Sequence, residues 1–91
     1  MAHPNELRTP GPLAMLSRMD REMTERHLLQ AEGAVVSGES HIARQKEIVR
    51  DMEAKGQDTA LAKDLLSAFL ALQKEHRAHH DRLLVELGLA H

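Results

Sequence analysis

Apolar residues in this chain recur at alternating intervals of three and four positions, and one turn signature interrupts the pattern. The resulting seam positions are Leu28, Ala31, Val35, Gly38, Ile42, Gln45, Val49 and Met52 before the interruption, and Leu65, Phe69, Leu72, His76, His79, Leu83 and Leu87 after it. Such spacing is typical of the contact line between two helices with a left-handed twist. It predicts an all-α, coiled-coil-like fold.

The interruption, Lys55-Gly56-Gln57-Asp58-Thr59, contains the signals for one helix end and one helix start. Gly56 suits the left-handed residue that follows a helix, and Asp58 or Thr59 can cap the next helix. Because the turn near residues 56–58 is short, we expect the two helices to fold back as an antiparallel hairpin. The first helix is predicted over residues 13–55 and the second over residues 59–88.

Counting outward from the turn predicts the register of the hairpin. The predicted neighbours are Met52 with Leu65, Gln45 with Phe69, Ile42 with Leu72, Gly38 with His76, Val35 with His79 and Ala31 with Leu83. Residues 33–38 are weak helix sequence because they contain two glycines and two β-branched valines. The unbroken phase of the seam favours one long helix, and a break into a three-helix arrangement is the alternative.

Composition sets further bounds on fold and function. Residues 1–12 contain all three prolines and are predicted to be a disordered or extended tail before a helical domain over residues 13–91. Phe69 is the one aromatic residue, which argues against β-sandwiches and against stacking platforms for single-stranded nucleic acid. The chain has no cysteine and a net charge of -2, so it offers no disulfide, no thiolate and no basic surplus for nucleic acid.

The remaining signals concern location and catalysis. The first residues lack a basic and apolar leader, and no apolar run approaches the roughly 20 residues of a spanning helix. We therefore expect a cytoplasmic protein that does not engage membranes. Its serines stand in no strand-turn-helix elbow, and no glycine loop resembles a phosphate cradle, so we expect no enzymatic activity and no cofactor.

The first predicted helix is longer than the second and leaves an apolar stripe that a lone hairpin cannot bury. A homodimer forming a four-helix bundle is the predicted solution, because small scaffolds without disulfides or metal often rely on oligomerisation. The predicted interface residues are Leu16, Met19, Met23, Leu66, Leu70 and Leu84.

Seven histidines in 91 residues suggest a second kind of site. His76 and His80 are spaced as on one helical face, a spacing that can chelate Zn²⁺ or another divalent cation, and Glu39 and His41 come to about the same level. Two alternatives remain. The histidines can be structural residues that set the register, or they can act as a pH switch.

Five segments carry a resemblance to known sequences. They are Glu25-Arg26-His27, Gly38-Glu39-Ser40-His41-Ile42-Ala43-Arg44-Gln45, Gly56-Gln57-Asp58-Thr59-Ala60, Leu65-Leu66-Ser67-Ala68-Phe69 and His80-Asp81-Arg82-Leu83-Leu84. Over residues 20–87 the chain resembles a group of small uncharacterised proteins of α-proteobacteria. The resemblance implies a helical hairpin and brings no activity, cofactor or catalytic residue. We expect a self-associating structural or protein-interaction module, and the alternative is a small protein that binds a divalent metal.

Overall fold

The structure is an all-helical hairpin. A computed structural model describes the backbone of residues 12–90 and the side chains of residues 17–90. Helix α1 spans Pro12–Ala54, helix α2 spans Ala60–Glu86, and the two helices pack against each other. The predicted hairpin is therefore confirmed. The predicted tail lies outside the described residues except for Pro12, and proline is well suited to the first position of a helix.

Helix α1 continues without interruption through the weak segment at residues 33–38. The alternative of a break at this segment, giving three helices, is wrong. Both Gly33 and Gly38 lie inside the helix, where each costs about 1 kcal/mol relative to alanine. The packing of the apolar side of α1 against α2 outweighs this local cost, as it does in most helices of folded proteins.

The turn between the helices has the predicted chemistry. Gly56 adopts the left-handed conformation with φ of 67°, and its N–H donates to the Glu53 carbonyl at 3.1 Å. The next N–H, of Gln57, donates to the Met52 carbonyl at 2.9 Å, which completes a Schellman motif. Asp58 then accepts a hydrogen bond on Oδ1 from the Ala60 N–H at 3.0 Å. The turn thus satisfies backbone groups at both helix ends.

A second Schellman motif ends α2, two residues before the predicted boundary. Gly88 has φ of 74°, and its N–H donates to the Val85 carbonyl at 3.0 Å. The Leu89 N–H donates to the Leu84 carbonyl at 2.8 Å. Gly88 therefore repeats at the end of α2 the role that Gly56 plays at the end of α1.

The apolar core is a narrow line between the helices. All eight seam positions predicted on α1, from Leu28 to Met52, are buried or half-buried. The main cluster consists of Leu28, Ala31, Leu83 and Leu87, with Leu84 packed against it. Among the described side chains none is completely withdrawn from solvent, so the hairpin has a thin core.

The seam predicted on α2 is partly wrong. Phe69, His76, Leu83 and Leu87 face α1 as expected, but Leu65, Leu72 and His79 are exposed. Their places are taken by their neighbours Leu66, Gln73 and His80, which are buried or half-buried, and Ala62 is half-buried as well. Compared with the predicted orientation, helix α2 is therefore rotated about its axis by about 50°, which is half of the 100° that separates successive residues. The physical reason is the burial of a polar residue, Gln73, in preference to its neighbour Leu72.

The predicted register is right at the end of the hairpin away from the turn, and it needs correction closer to the turn. Ala31 and Leu83 belong to one cluster, as expected. Gln45 does not pack on Phe69, because its Nε2 donates to the Ala62 carbonyl at 2.9 Å. Phe69 instead is half-buried and lies beside His41, with 5.9 Å between the ring centroids.

Candidate interaction surface

Two buried glutamines fix the rotation of the helices about their axes. Gln45 on α1 is 6% exposed and Gln73 on α2 is 5% exposed, and each donates a hydrogen bond to a carbonyl of the opposite helix. The Gln73 Nε2 reaches the Val35 carbonyl at 2.8 Å, and the side chain rests on Gly38, where a Cβ atom would collide with it. The amide oxygen of Gln73 is buried without a hydrogen-bond partner among the described residues. This arrangement decides which side chains of α2 face outward.

One flank of the seam is bridged by charges, and we call it the charged flank. Arg77 donates to Glu39 at 2.9 Å, and the Lys63 ammonium lies 3.6 Å from the Glu53 carboxylate. These side chains are more than half exposed, so each pair contributes little to the stability of the hairpin. Glu39 and Arg77 also line an open depression on this side, which contains Leu70 and the further charged residues Lys46, Glu47, Arg50 and Lys74.

The opposite flank is an open groove between the helices, formed by three hollows in a row. The open-end hollow is lined by His27, Gln30, Ala31, Ala34 and His79. The middle hollow is lined by Ala34, Ser37, Gly38, His41, Phe69, Leu72, Gln73 and His76. The turn-end hollow is lined by Gln45, Ile48, Met52, Leu61, Ala62, Asp64 and Leu65. Apart from Asp64, these linings contain no Asp, Glu, Lys or Arg.

Exposed leucines border the groove on the α2 side. Leu61 is 82% exposed, Leu65 is 46% exposed and Leu72 is 48% exposed. Leu65 and Leu72 are seven residues apart, so they lie on the same side of α2, about two turns from each other. Scattered apolar residues on a surface are normal, but leucines that follow an apolar groove form a continuous patch of the kind that marks interaction sites.

Helix α1 extends beyond the end of α2, and we call its residues 12–24 the overhang. By helix length α1 measures about 64 Å and α2 about 40 Å. Met19 is 60% exposed and Met23 is 53% exposed on this part of α1. Met19, Met23 and His27 follow one another at four-residue intervals and so share one side of the helix. Since His27 lines the open-end hollow, the two methionines continue the line of the groove.

The residues predicted as an interface do not lie on one surface. Met19 and Met23 are exposed on the overhang, whereas the side chain of Leu16 lies outside the described residues. Leu66 is half-buried within the hairpin, and Leu84 packs on its core cluster. Leu70 is 47% exposed but lines the depression on the charged flank. Two other exposed leucines of α2, Leu65 and Leu72, occupy positions that were predicted to lie in the seam.

The four residues predicted to bind a metal are engaged separately. Glu39 pairs with Arg77 on the charged flank, whereas His41 and His76 line the middle hollow. The His80 Nε2 lies 3.6 Å from Glu32, and its Nδ1 lies 3.6 Å from the neighbouring Asp81. Within the part of the chain that the structure describes, no three His, Asp or Glu side chains converge as metal ligands.

Sequence reasoning missed the groove. Leu65, Leu72 and His79 are members of the predicted seam on α2, and the prediction therefore places them inside the hairpin. The missing information was that Gln73 stands opposite Gly38, where a long amide side chain has room beside a helix backbone. The predicted register places His76 opposite Gly38, so the seam pattern alone does not reveal the contact of Gln73 with this glycine.

Neither helix is long and apolar enough to span a membrane, as far as residues 12–90 show. Comparisons with protein-family models, curated proteins and solved structures found no match to this chain. The resemblance to small proteins of α-proteobacteria stays a prediction.

Proposed function

We propose that the protein is a structural helical module that associates with a second copy of itself through the groove, forming a four-helix bundle. The observation that carries the proposal is the difference between the two flanks. One flank of the seam is bridged by ion pairs, whereas the other leaves an uncharged line of leucine, isoleucine, methionine and histidine side chains open to water.

The thin core supports the same proposal. A hairpin of two helices buries apolar side chains along one line only, and chains of this size without disulfide bonds are marginal by themselves. Covering the groove removes Leu61, Leu65 and Leu72 from water, and each fully buried leucine contributes about 1.5–3 kcal/mol. A second hairpin supplies an apolar face of matching length.

A second copy fits the groove better than a charged partner does. The linings of the three hollows contain one charged residue, Asp64, so two copies meet with little like-charge repulsion despite the net charge of -2 on each chain. The proposed interface keeps Met19 and Met23 from the sequence prediction. On α2 it uses Leu65 and Leu72 in place of Leu66, Leu70 and Leu84.

Three leucines of α2 with nearly equal exposure provide a matched test. Leu65→Glu and Leu72→Glu each place a charge in the groove, whereas Leu70→Glu places the same charge on the charged flank. Sedimentation velocity on the full chain should give twice the 10.2 kDa chain mass for the wild type and for Leu70→Glu. We expect the two groove variants to dissociate with Kd raised at least about tenfold.

Circular dichroism at high protein concentration is the control for folding. A variant that has lost its helices is informative about folding and not about association. A wild-type chain that stays monomeric at about 100 µM would overturn the proposal. Dissociation by Leu70→Glu together with intact dimers of Leu65→Glu would place the contact on the charged flank and would overturn it as well.

A further inference from the structure

The groove side of α1 is small in its middle and bulky towards both ends. Ala34 lines both the open-end and the middle hollow, and Ala31, Ser37 and Gly38 are its small neighbours in those linings. Small side chains let two helix backbones approach closely, because the distance between helix axes depends on the side chains at the contact. Residues 33–38, which are weak as helix sequence, thus offer a contact point for another helix.

Two bulky residues of α1, Met19 and Ile48, lie at nearly equal distances on either side of Ala34. Met19 lies fifteen residues before Ala34 and Ile48 lies fourteen residues after it, which corresponds to about 21–23 Å in each direction. Met19 belongs to the overhang, and Ile48 lines the turn-end hollow together with Leu61 and Leu65. A two-fold axis at Ala34 therefore brings Met19 of each copy to the level of Ile48 of the other.

We infer that two copies pair antiparallel about a two-fold axis at Ala34, so that the overhang of each copy covers the turn-end hollow of the other. This inference rests on the proposed self-association and specifies its geometry. This pairing covers both the exposed methionines of the overhang and the open turn-end hollow. Met19 and Met23 are more than half exposed on the overhang, and the turn-end hollow is the largest of the three, at about 650 Å³.

The area of contact supports a role for the overhang. A strip about 10 Å wide along the whole of α1 covers on the order of 640 Å². Stable interfaces bury roughly 600–1,000 Å² on each partner. A strip of the same width over the length shared with α2 covers on the order of 400 Å² and falls short of that range.

The absence of cysteine from the sequence allows a direct test by cross-linking of single-cysteine variants. Residues on a two-fold axis meet their own copies, and a disulfide needs Cα atoms within about 7 Å. Ala34→Cys should therefore form a covalent dimer under mild oxidation. Ala43→Cys is the matched control, because it makes the same substitution on α1 beside the depression on the charged flank, and it should cross-link at least about tenfold more slowly.

A mixed experiment tests the pairing of overhang and turn. Chains carrying Met19→Cys and chains carrying Ile48→Cys should cross-link with each other, and much less with themselves. Sedimentation of the reduced variants separates the two hypotheses. Monomeric chains would overturn the proposed self-association, whereas dimers that cross-link at neither Ala34→Cys nor the mixed pair would overturn the geometry alone.

Discussion

The contact between Gln73 and Gly38 shows how one pair of residues sets the rotation of a whole helix. Gln73 can enter the seam because Gly38 has no side chain, and its amide then donates to the carbonyl of Val35. The buried amide oxygen without a partner is the cost of this arrangement. An apolar residue at position 73 would lack the hydrogen bond, and a residue with a Cβ atom at position 38 would collide with Gln73.

Alanine substitutions at the two glycines of α1 should have opposite effects. A Cβ atom at Gly33 meets nothing within 4 Å, so Gly33→Ala should stabilise the fold by up to about 1 kcal/mol through helix propensity. Gly38→Ala gains the same propensity but displaces Gln73 from its hydrogen bond, so we expect a net loss of about 1–2 kcal/mol. Urea denaturation followed by circular dichroism measures both. Equal stabilisation by the two variants would contradict the role assigned to Gly38.

Residues of α1 could be assigned from the sequence better than those of α2, and the reason is physical. On α1 the seam positions are mostly apolar, and their periodicity alone identifies the buried side. On α2 leucines lie on several sides of the helix, so hydrophobicity does not decide which of Leu72 and Gln73 is buried. That choice depends on a hydrogen bond to the other helix and on the space above Gly38, neither of which periodicity describes.

At the scale of the helices, the fold follows from signals at their ends. The sequence predicts a left-handed Gly56 after α1 and a side-chain cap before α2, and it leaves the cap open between Asp58 and Thr59. The structure assigns the cap to Asp58, because Thr59 forms no side-chain hydrogen bond at the start of α2. Local chemistry of this kind can be predicted because its partners lie within six residues of each other.

Substitutions at the turn should reproduce this assignment. Asp58→Ala removes the acceptor for the Ala60 N–H and should lower the free energy of unfolding by about 1 kcal/mol. Asp58→Asn keeps a side-chain oxygen and should change it by only a few tenths of a kcal/mol. Thr59→Ala is the neighbouring control and should have the smaller effect of the two alanine variants. Thermal unfolding at fixed protein concentration ranks the three, and a larger loss for Thr59→Ala would refute the assignment.

For the whole molecule, the two flanks predict the response of the dimer to salt. Screening shortens the reach of exposed charges from about 10 Å at 0.1 M to about 3 Å at 1 M. The ion pairs of the charged flank lie outside the proposed interface, whereas the groove is apolar. Dimers should therefore be as stable or more stable in about 1 M NaCl than in about 0.1 M. Dissociation at high salt, measured by sedimentation equilibrium, would indicate an electrostatic contact instead.

The overhang and the α1 side of the groove belong to one continuous helix. The directions in which their side chains point relative to each other therefore depend on the number of residues between them. One residue inserted after Arg26 turns Met19 and Met23 by about 100° around the axis of α1, whereas the contact of Leu28 with its core cluster is kept. Seven inserted residues restore the direction of Met19 and Met23 to within about 20° and only lengthen α1. In the proposed dimer, chain length at this point is therefore constrained by rotational phase, independently of which residues occupy it.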